Sequence, residues 1–252
     1  MTHQRYTGRV ALVTGAGSGI GQATVLRLAD EGANVVGCDI DPAGLDATGK
    51  LLAAEGLQAE LLTADVTVQA DVDRLAAALQ GAPVDLLANV AGIMDYFLPV
   101  TDLDDAVWER VIAVNLTGPM RLSRAVIPAM RDAGGGAVVN VSSIGGLTGA
   151  VAGTAYTSAK HGLIGLTRSL AFLYGPDGVR TNAVCPGAVR TGISKTAFAR
   201  SQWAYDRLEK SFATATRTAE PDEIAAVIAW LGSAEASNVN GAVLSADGGW
   251  TA

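Results

Sequence analysis

Short apolar runs alternate with amphipathic stretches along the whole chain, and this alternation predicts the fold. The runs at residues 9–14, 34–39, 59–64 and 84–88 each have the length of one buried β-strand. Between them lie stretches with apolar residues at helical spacing, such as 42–55, which is closed by a glycine. Strands that alternate with helices predict a parallel sheet with helices on both faces and right-handed crossovers.

The same alternation continues to the end of the chain, with longer helices. The further predicted elements are helices at 71–80, 102–114, 117–131, 156–174 and 221–231, and strands at 137–141, 179–184 and 242–246. About seven strands give one doubly wound α/β domain over residues 1–252, because no linker or repeat divides the chain. The segment 192–218 breaks the rhythm. Its length and aromatic content predict a lid over a binding site, and the alternative is a packed helical pair without contact to a substrate.

Composition narrows the classes of partner. The 252 residues are 49% hydrophobic, include 30 glycines and carry a net charge of −7, which argues against a nucleic-acid or basic membrane-binding surface. No apolar run approaches the about 18 residues of a spanning helix, and residues 1–6 lack the apolar core of a signal peptide. We therefore expect a cytoplasmic protein. Cys38 and Cys185 have no metal or redox spacing, so we expect two buried thiols, no disulfide and no metal site.

A glycine-rich loop at residues 15–21 follows the first predicted strand and opens the first helix. Its glycines permit a tight turn and the close approach of a pyrophosphate, and the helix N-terminus supplies N–H groups and a positive dipole end. A glycine-rich turn without a ligand is the alternative. The order strand, loop, helix favours a dinucleotide site.

An acid closes the second predicted strand. Asp39 lies about 20 residues beyond the glycines, where a carboxylate can accept hydrogen bonds from the adenosine ribose. Its rival Asp41 stands before Pro42 and is typical of a helix N-cap. A 2′-phosphate would place a second negative group against Asp39, and neither the glycine loop nor Ile40 supplies a cation, so we expect NAD rather than NADP. Five predicted strands end at one edge of the sheet, at Gly15, Asp39, Asp65, Asn89 and Ser143.

A tyrosine and a lysine, Tyr156 and Lys160, stand four positions apart and so share one face of the helix predicted at 156–174. A cation near a phenol favours the phenolate and lowers the tyrosine pKa from about 10, so the pair is a candidate acid–base group. Alone, such a pair is more typical of an ordinary surface helix. The dinucleotide site before it favours the catalytic interpretation. His161 points elsewhere on the helix, and we expect no catalytic role for it.

In this order and spacing the motifs resemble those of the short-chain dehydrogenase/reductase family over essentially the whole chain. The matching residues are Thr14-Gly15-Ala16-Gly17-Ser18-Gly19-Ile20-Gly21, Asn89-Val90-Ala91-Gly92, Asn115, Ser143, Tyr156-x-x-x-Lys160, Pro186-Gly187 and Asp247-Gly248-Gly249. One departure is at Ala88-Asn89-Val90, where many members carry two adjacent asparagines. The resemblance implies a Rossmann-like fold, a homotetramer, and hydride transfer between NAD(H) and a secondary alcohol or its ketone.

The resemblance also implies individual roles. Tyr156 would exchange a proton with the substrate oxygen, and Lys160 would lower its pKa and bind the nicotinamide ribose. Ser143 would hold the substrate oxygen, selected over Ser142 by its thirteen-residue spacing to Tyr156. Asn115 would anchor a water of the proton relay. Cofactor contacts are implied for Gly15, Gly17, Ser18, Gly19, Ile20, Gly21, Asp39, Ile40, Asp65, Val66, Asn89, Ala91, Gly92, Tyr156, Lys160, Pro186, Gly187, Val189 and Thr191.

Two alternatives remain. A 3-oxoacyl-carrier-protein reductase shares these residues, but such enzymes usually take NADPH and dock an acidic carrier protein, so Asp39 and the charge of −7 count against it. A non-catalytic dinucleotide sensor could use the same fold, but it would not need a proton relay. The substrate is a small alcohol or ketone. The residues that indicate an apolar pocket, suited to an alicyclic substrate, are Met94, Tyr96, Leu147, Val151, Phe198, Trp203, Tyr205 and Phe212.

Overall fold

A computed structural model describes residues 4–79, 81–193 and 198–252. Among them, seven strands form one parallel sheet in the order β3-β2-β1-β4-β5-β6-β7. The strands are β1 (Val10–Thr14), β2 (Asn34–Asp39), β3 (Glu60–Thr63), β4 (Leu86–Asn89), β5 (Gly136–Val141), β6 (Val179–Pro186) and β7 (Val243–Ala246). The predicted doubly wound, Rossmann-like α/β fold is confirmed.

Helices connect the strands close to their predicted positions. They are α1 (Gly19–Asp30), α2 (Pro42–Ala54), α3 (Gln69–Ala78), α4 (Asp105–Ile112), α5 (Gly118–Asp132), α6 (Thr154–Tyr174), α7 (Gln202–Phe212) and α8 (Pro221–Gly232). The predicted helix 71–80 begins earlier, and its last residue, Gln80, lies outside the described residues. So do residues 194–197 of the predicted lid and the first three residues of the chain.

Each central strand contributes to two hydrophobic cores, one on either face of the sheet. In β1, Val13 belongs to the core under α1 and α8, whereas Leu12 belongs to the core under α3 and α5. Both side chains are completely buried. Because side chains alternate between the two faces and both faces are covered, the central strands are continuous apolar runs in the sequence.

The strand order reverses direction between β1 and β4, which pair directly although they are separated by two other strands in sequence. In open α/β sheets such a reversal leaves a crevice beyond the carboxyl ends of the strands. Thr14 ties the two strand ends together, because its hydroxyl accepts hydrogen bonds from the N–H groups of Val90 and Ala91, both at 3.0 Å. This crevice is where the site lies.

The helical segment 105–132 contains one π-helical turn, at Ala113–Thr117. A π turn accommodates an extra residue and is frequent at functional sites. The buried Asn115 lies in it and makes two 2.9 Å hydrogen bonds with Ile93, accepting from its N–H and donating to its carbonyl. Both groups of this mid-helix side-chain amide therefore have a partner inside the protein.

The two cysteines are both buried and free. Cys38 lies in β2 and Cys185 in β6, four positions apart in the sheet, or roughly 19 Å at about 4.8 Å per strand. That separation exceeds the about 7 Å that a disulfide can span between Cα atoms. In the described part of the chain, no helix combines the length and apolar character needed to cross a membrane, and no cluster of three metal-binding side chains occurs.

Candidate active site

The glycine loop is built so that the start of α1 packs directly on the end of β1. A Cβ on Gly21 would lie 2.0 Å from the carbonyl oxygen of Gly15, so only glycine allows this approach. Gly15 itself has φ +72°. Ser18 caps α1 without a side-chain hydrogen bond, which leaves the first turn of the helix to a ligand.

A cavity of about 680 Å³ opens at this helix end. Most of the predicted cofactor contacts line it; they are Gly15, Ser18, Gly19, Ile20, Gly21, Asp39, Ile40, Asp65, Val66, Ala91, Gly92 and Thr191. Gly17 and Asn89 stand behind the wall. The Gly17 N–H donates to Asp39, and the Asn89 amide donates to Asn140 at 2.8 Å. These two hydrogen bonds hold the loops that surround the cavity.

Asp39 stands at the end of β2 with both carboxylate oxygens engaged by the backbone. Oδ2 accepts from the N–H of Gly17 at 2.9 Å, and Oδ1 accepts from that of Asp41 at 3.0 Å. Each oxygen keeps further lone-pair capacity for a ribose hydroxyl. Asp41 is the N-cap of α2 and accepts from the N–H of Ala43, as its position before Pro42 predicted.

A second cavity, of about 330 Å³, adjoins the first and shares the wall residues Ile20, Val90, Gly92, Thr191 and Ile193 with it. The remaining predicted site residues that line it are Ser143, Tyr156, Lys160, Pro186, Gly187 and Val189. Thr191 stands at the junction of the two cavities. Its buried Oγ1 has no hydrogen-bond partner among the described residues.

The geometry fits a nicotinamide dinucleotide. The glycines of the loop carry no side chains where a pyrophosphate would approach, the Asp39 carboxylate lines the cavity where a ribose could reach it, and the unpartnered Thr191 hydroxyl can bind the part of the ligand that passes between the cavities. When bound, this group accepts or donates the hydride.

Tyr156 and Ser143 lie together at the wall of the second cavity, since a Cβ on Gly145 would be 3.3 Å from Cε1 of Tyr156 and 3.4 Å from Oγ of Ser143. Burial raises the pKa of the Tyr156 phenol to about 12, and the neighbouring Ser143 side chain only partly opposes this. Ser143 is oriented in turn by the N–H of Gly145, which donates to its Oγ at 3.0 Å. Ser142 instead donates to the carbonyl of Lys160 at 3.0 Å, so of the two serines Ser143 is the one beside the tyrosine ring.

Lys160 is buried beside the tyrosine, yet the pKa of Tyr156 is raised in this structure and not lowered, contrary to the expectation. Its Nζ donates to the carbonyl of Val141 at 2.9 Å and lies 5.5 Å from the centroid of the Tyr156 ring. Burial lowers the pKa of Lys160 to about 8. Burial shifts both groups toward their neutral forms, and for the phenol this exceeds the attraction to the ammonium.

Asn115 stands behind the cavities, on the far side of Gly92. A Cβ on Gly92 would lie 3.3 Å from Oδ1 of Asn115 and 3.4 Å from Nζ of Lys160, so the glycine keeps open the space between these two polar groups. The four residues implied as catalytic are therefore brought together, three on the cavity wall and Asn115 behind it.

The aromatic cavity wall was predicted only in part. Met94, Val151, Tyr205 and Phe212 do line the second cavity. The other residues indicated by the sequence do not: Tyr96, Leu147, Phe198 and Trp203 are not among its lining residues. Phe97, Ile144 and Trp250 take their places. Tyr205 and Phe212 belong to α7, so this part of the predicted lid does contact the cavity.

Sequence reasoning missed two further residues at the site. Trp250 lines the second cavity, and its indole N–H donates to Ser211 and Thr214 just at the end of α7. Asp95 is completely buried next to the start of α6. The only signal for Asp95 is an acid inside the apolar run 93–98, since a charge is rarely buried without a partner.

Comparison with known proteins agrees with this geometry. A family model described as enoyl-(acyl carrier protein) reductase matches residues 15–251. The chain is 37% identical to 3beta-hydroxysteroid dehydrogenase 2 of Eggerthella lenta over 248 residues, covering 97% of this chain and 95% of that protein. It is 39% identical to the short-chain dehydrogenase/reductase olcF of Penicillium canescens over 259 residues, covering 96% of each.

Solved structures of the same fold extend over the whole chain. Levodione reductase superposes with a TM-score of 0.88 at 37% identity, covering 97% of this chain and 98% of that one. A putative NAD(P)-dependent gluconate 5-dehydrogenase of Beutenbergia cavernae, crystallised with NADP at low occupancy, gives a TM-score of 0.86 at 33% identity, with 98% of each chain covered. With the glycine loop, the Tyr156–Ser143 pair and Lys160 in place, the chain belongs to the short-chain dehydrogenase/reductase family of oxidoreductases.

Proposed function

We propose that the protein is an NAD(H)-dependent dehydrogenase/reductase that interconverts an uncharged, alicyclic secondary alcohol and its ketone. The observation that carries this proposal is the Tyr156–Ser143 pair at the wall of a largely apolar cavity that adjoins the dinucleotide cavity. A proton donor and a hydride donor can then act on the two ends of one carbonyl group.

In the reduction direction, Ser143 and Tyr156 hydrogen-bond the carbonyl oxygen, and Tyr156 donates its proton as negative charge develops there. A pKa of about 12 keeps the phenol protonated at neutral pH, which is the form this direction needs. In the oxidation direction the phenolate accepts the hydroxyl proton, and it requires nearby positive charge to form. The ammonium of Lys160 supports that form, and the space beside Gly92 lets Lys160 and Asn115 share a water for proton exchange.

The substrate class follows from the charge and polarity of the second cavity. Lys160 is the one charged residue among its described lining residues, and its ammonium is bonded to the carbonyl of Val141. The wall otherwise consists largely of aliphatic and aromatic side chains. A carboxylate or phosphate substrate would lose its hydration there without gaining a partner. An apolar ring is favoured, in keeping with the hydroxysteroid named for the 37% identical dehydrogenase of Eggerthella lenta.

The choice of NAD over NADP rests on Asp39. Its carboxylate lies at the cavity wall, next to the exposed Ile40, and would repel a 2′-phosphate. Arg110 also lines this cavity, but it projects from α4 beside Glu109 and not from the glycine loop or β2. The putative gluconate 5-dehydrogenase was crystallised with NADP at low occupancy, so the fold alone does not exclude NADP.

Assembly and location complete the proposal. We expect a homotetramer in which α5 and α6 pair across a two-fold axis. The exposed Phe172 and Leu173 at the end of α6 provide apolar surface for such a contact. One small residue of α6, Gly162, packs within the chain, since a Cβ there would lie 2.9 Å from the Leu116 side chain. The cytoplasmic location and the absence of nucleic-acid and membrane partners stay predictions.

A substrate screen tests the proposal. Cyclic ketones, open-chain ketones, 3-oxo acids and a 3-oxoacyl carrier protein are each supplied with NADH or NADPH, and cofactor oxidation is followed by absorbance. We expect the highest kcat/KM for an uncharged cyclic ketone with NADH. Preference for the carrier-protein substrate with NADPH would favour the reductase alternative, and no turnover with tight NADH binding would favour the sensor.

A further inference from the structure

The completely buried Asp95 has no part in the mechanism above, yet its carboxylate contacts the helix that carries Tyr156. Its Oδ2 accepts from the backbone N–H of Tyr156 at 2.8 Å, and its Oδ1 from that of Gly153 at 3.2 Å. Gly153 is the N-cap of α6 and supplies no side chain. Asp95 therefore caps the N-terminus of α6 as an N-cap side chain normally would, although it lies 61 residues before Tyr156 in the sequence.

The same carboxylate also holds an unusual turn. Tyr96 and Phe97 have φ angles of +59° and +57°, a region that bulky residues rarely adopt. The N–H of Phe97 donates to Oδ1 of Asp95 at 3.2 Å, which closes the turn. The turn directs Phe97 to the wall of the second cavity, where its ring packs edge-on against Tyr205 and Phe212 of α7 at 5.7 and 5.8 Å between centroids.

We propose that Asp95 is a positioning residue that fixes, through one buried carboxylate, both the start of the catalytic helix and the turn that presents Phe97 to the substrate. The inference rests on the proposed function, because it takes Tyr156 as the acid–base group. A displacement of about 1 Å at a reacting group can cost about 10²-fold in rate. Asp95 bonds the backbone of Tyr156 itself, so the phenol moves if this contact is lost.

The neighbouring glycine gives independent support. A Cβ on Gly153 would lie 2.5 and 2.6 Å from the two carboxylate oxygens of Asp95, and 2.6 Å from the backbone nitrogen of Leu98. Residue 153 must therefore be glycine for the carboxylate to reach α6. Replacing it displaces the carboxylate without changing any charge.

The negative charge of Asp95 allows the positioning role to be distinguished from a purely structural one. The groups that bear on the Tyr156 phenol are Ser143, Lys160, Cys185 and Asp95, and the negative charge of Asp95 raises the pKa of Tyr156. Asp95→Asn removes this charge. The oxygen of the asparagine can still accept a hydrogen bond from the N–H of Phe97, but its NH₂ group then faces the N–H of Tyr156, and two donors form no hydrogen bond. The substitution should lower kcat and also shift the ionisation of Tyr156 to lower pH. Gly153→Ala should lower kcat without that shift.

The test compares both variants with the parent and with Asp104→Asn, which alters an exposed carboxylate that caps α4 and lines neither cavity. We expect kcat for ketone reduction to fall about 10²-fold in both variants, with NADH affinity from fluorescence titration unchanged, and parent-like values for Asp104→Asn. In an ultraviolet difference titration of each protein against its Tyr156→Phe derivative, the ionisation of the Tyr156 phenol should move to lower pH only in Asp95→Asn.

Parent-like kcat in either folded variant, or losses that follow only the melting temperature, would overturn the positioning role. Tyr156→Phe is run beside them. If that variant keeps full activity, the proposed function fails. If it is inactive while Asp95→Asn and Gly153→Ala are fully active, only the role of Asp95 fails.

Discussion

Asp39 allows the cofactor preference to be predicted as a free energy. Its carboxylate makes two backbone hydrogen bonds and faces the cavity from β2, so a 2′-phosphate would meet a fixed negative charge. We expect kcat/KM for NADH to exceed that for NADPH by roughly 10²-fold, equivalent to about 3 kcal/mol, since each tenfold is about 1.4 kcal/mol. Asp39→Ser with Ile40→Arg removes the repulsion and adds a phosphate partner, which should move the preference toward NADPH.

Two controls separate charge from loop shape. Asp39→Asn removes the charge but keeps an oxygen acceptor for one of the two N–H groups; each such bond contributes about 0.5–1.5 kcal/mol. It should lose part of the preference with little loss of stability. Asp41→Asn changes the neighbouring exposed cap, where asparagine serves as well as aspartate, and should leave the preference intact.

The assay is kcat/KM for both cofactors in all four proteins, with one ketone and at one ionic strength, because salt screens these charges. A parent enzyme that uses NADPH as well as NADH would refute the interpretation of Asp39. A preference that also changes in Asp41→Asn would show that loop shape, not the Asp39 charge, sets the choice.

Three further results are expected. Trypsin should cut the free enzyme near Arg200 or Arg207, and NADH with a cyclic ketone should protect these sites because α7 closes over the substrate; equal cleavage with and without ligands would count against a lid. Light scattering at micromolar concentration should give a tetramer mass, and a monomer mass would refute the proposed assembly. Finally, kcat/KM for reduction should be constant below about pH 8 and fall above it as Lys160 loses its proton. Burial lowers the pKa of Lys160 to about 8. A profile that stays flat to about pH 10 would exclude this dependence.

The sequence was sufficient for the sheet and for the cofactor cavity because both depend on local patterns. Strand β2 was predicted with its observed bounds, since its apolar run is buried on both faces and ends in a charged residue. The glycine loop was recognisable because the close approach at Gly21 excludes any side chain. Such features are local in the chain and need no knowledge of distant contacts.

Features set by burial and by distant contacts could not be predicted in the same way. The sequence shows that Tyr156 and Lys160 share a helix face, but not that burial outweighs their attraction and raises the pKa of Tyr156 to about 12. Asp95 and Trp250 join the site through contacts across 61 and 39 residues, and neither has a local motif.

The central claim, that Tyr156 transfers the proton, is tested most directly by replacing it with phenylalanine and comparing a matched change on the same helix. Tyr174→Phe removes a hydroxyl at the far end of α6, where the ring of Tyr174 lies under the guanidinium of Arg131. The measurement is single-turnover NADH oxidation with a saturating cyclic ketone. We expect Tyr156→Phe to lose at least about 10²-fold in rate with NADH affinity unchanged, and Tyr174→Phe to match the parent. A near-normal rate in Tyr156→Phe would contradict the account.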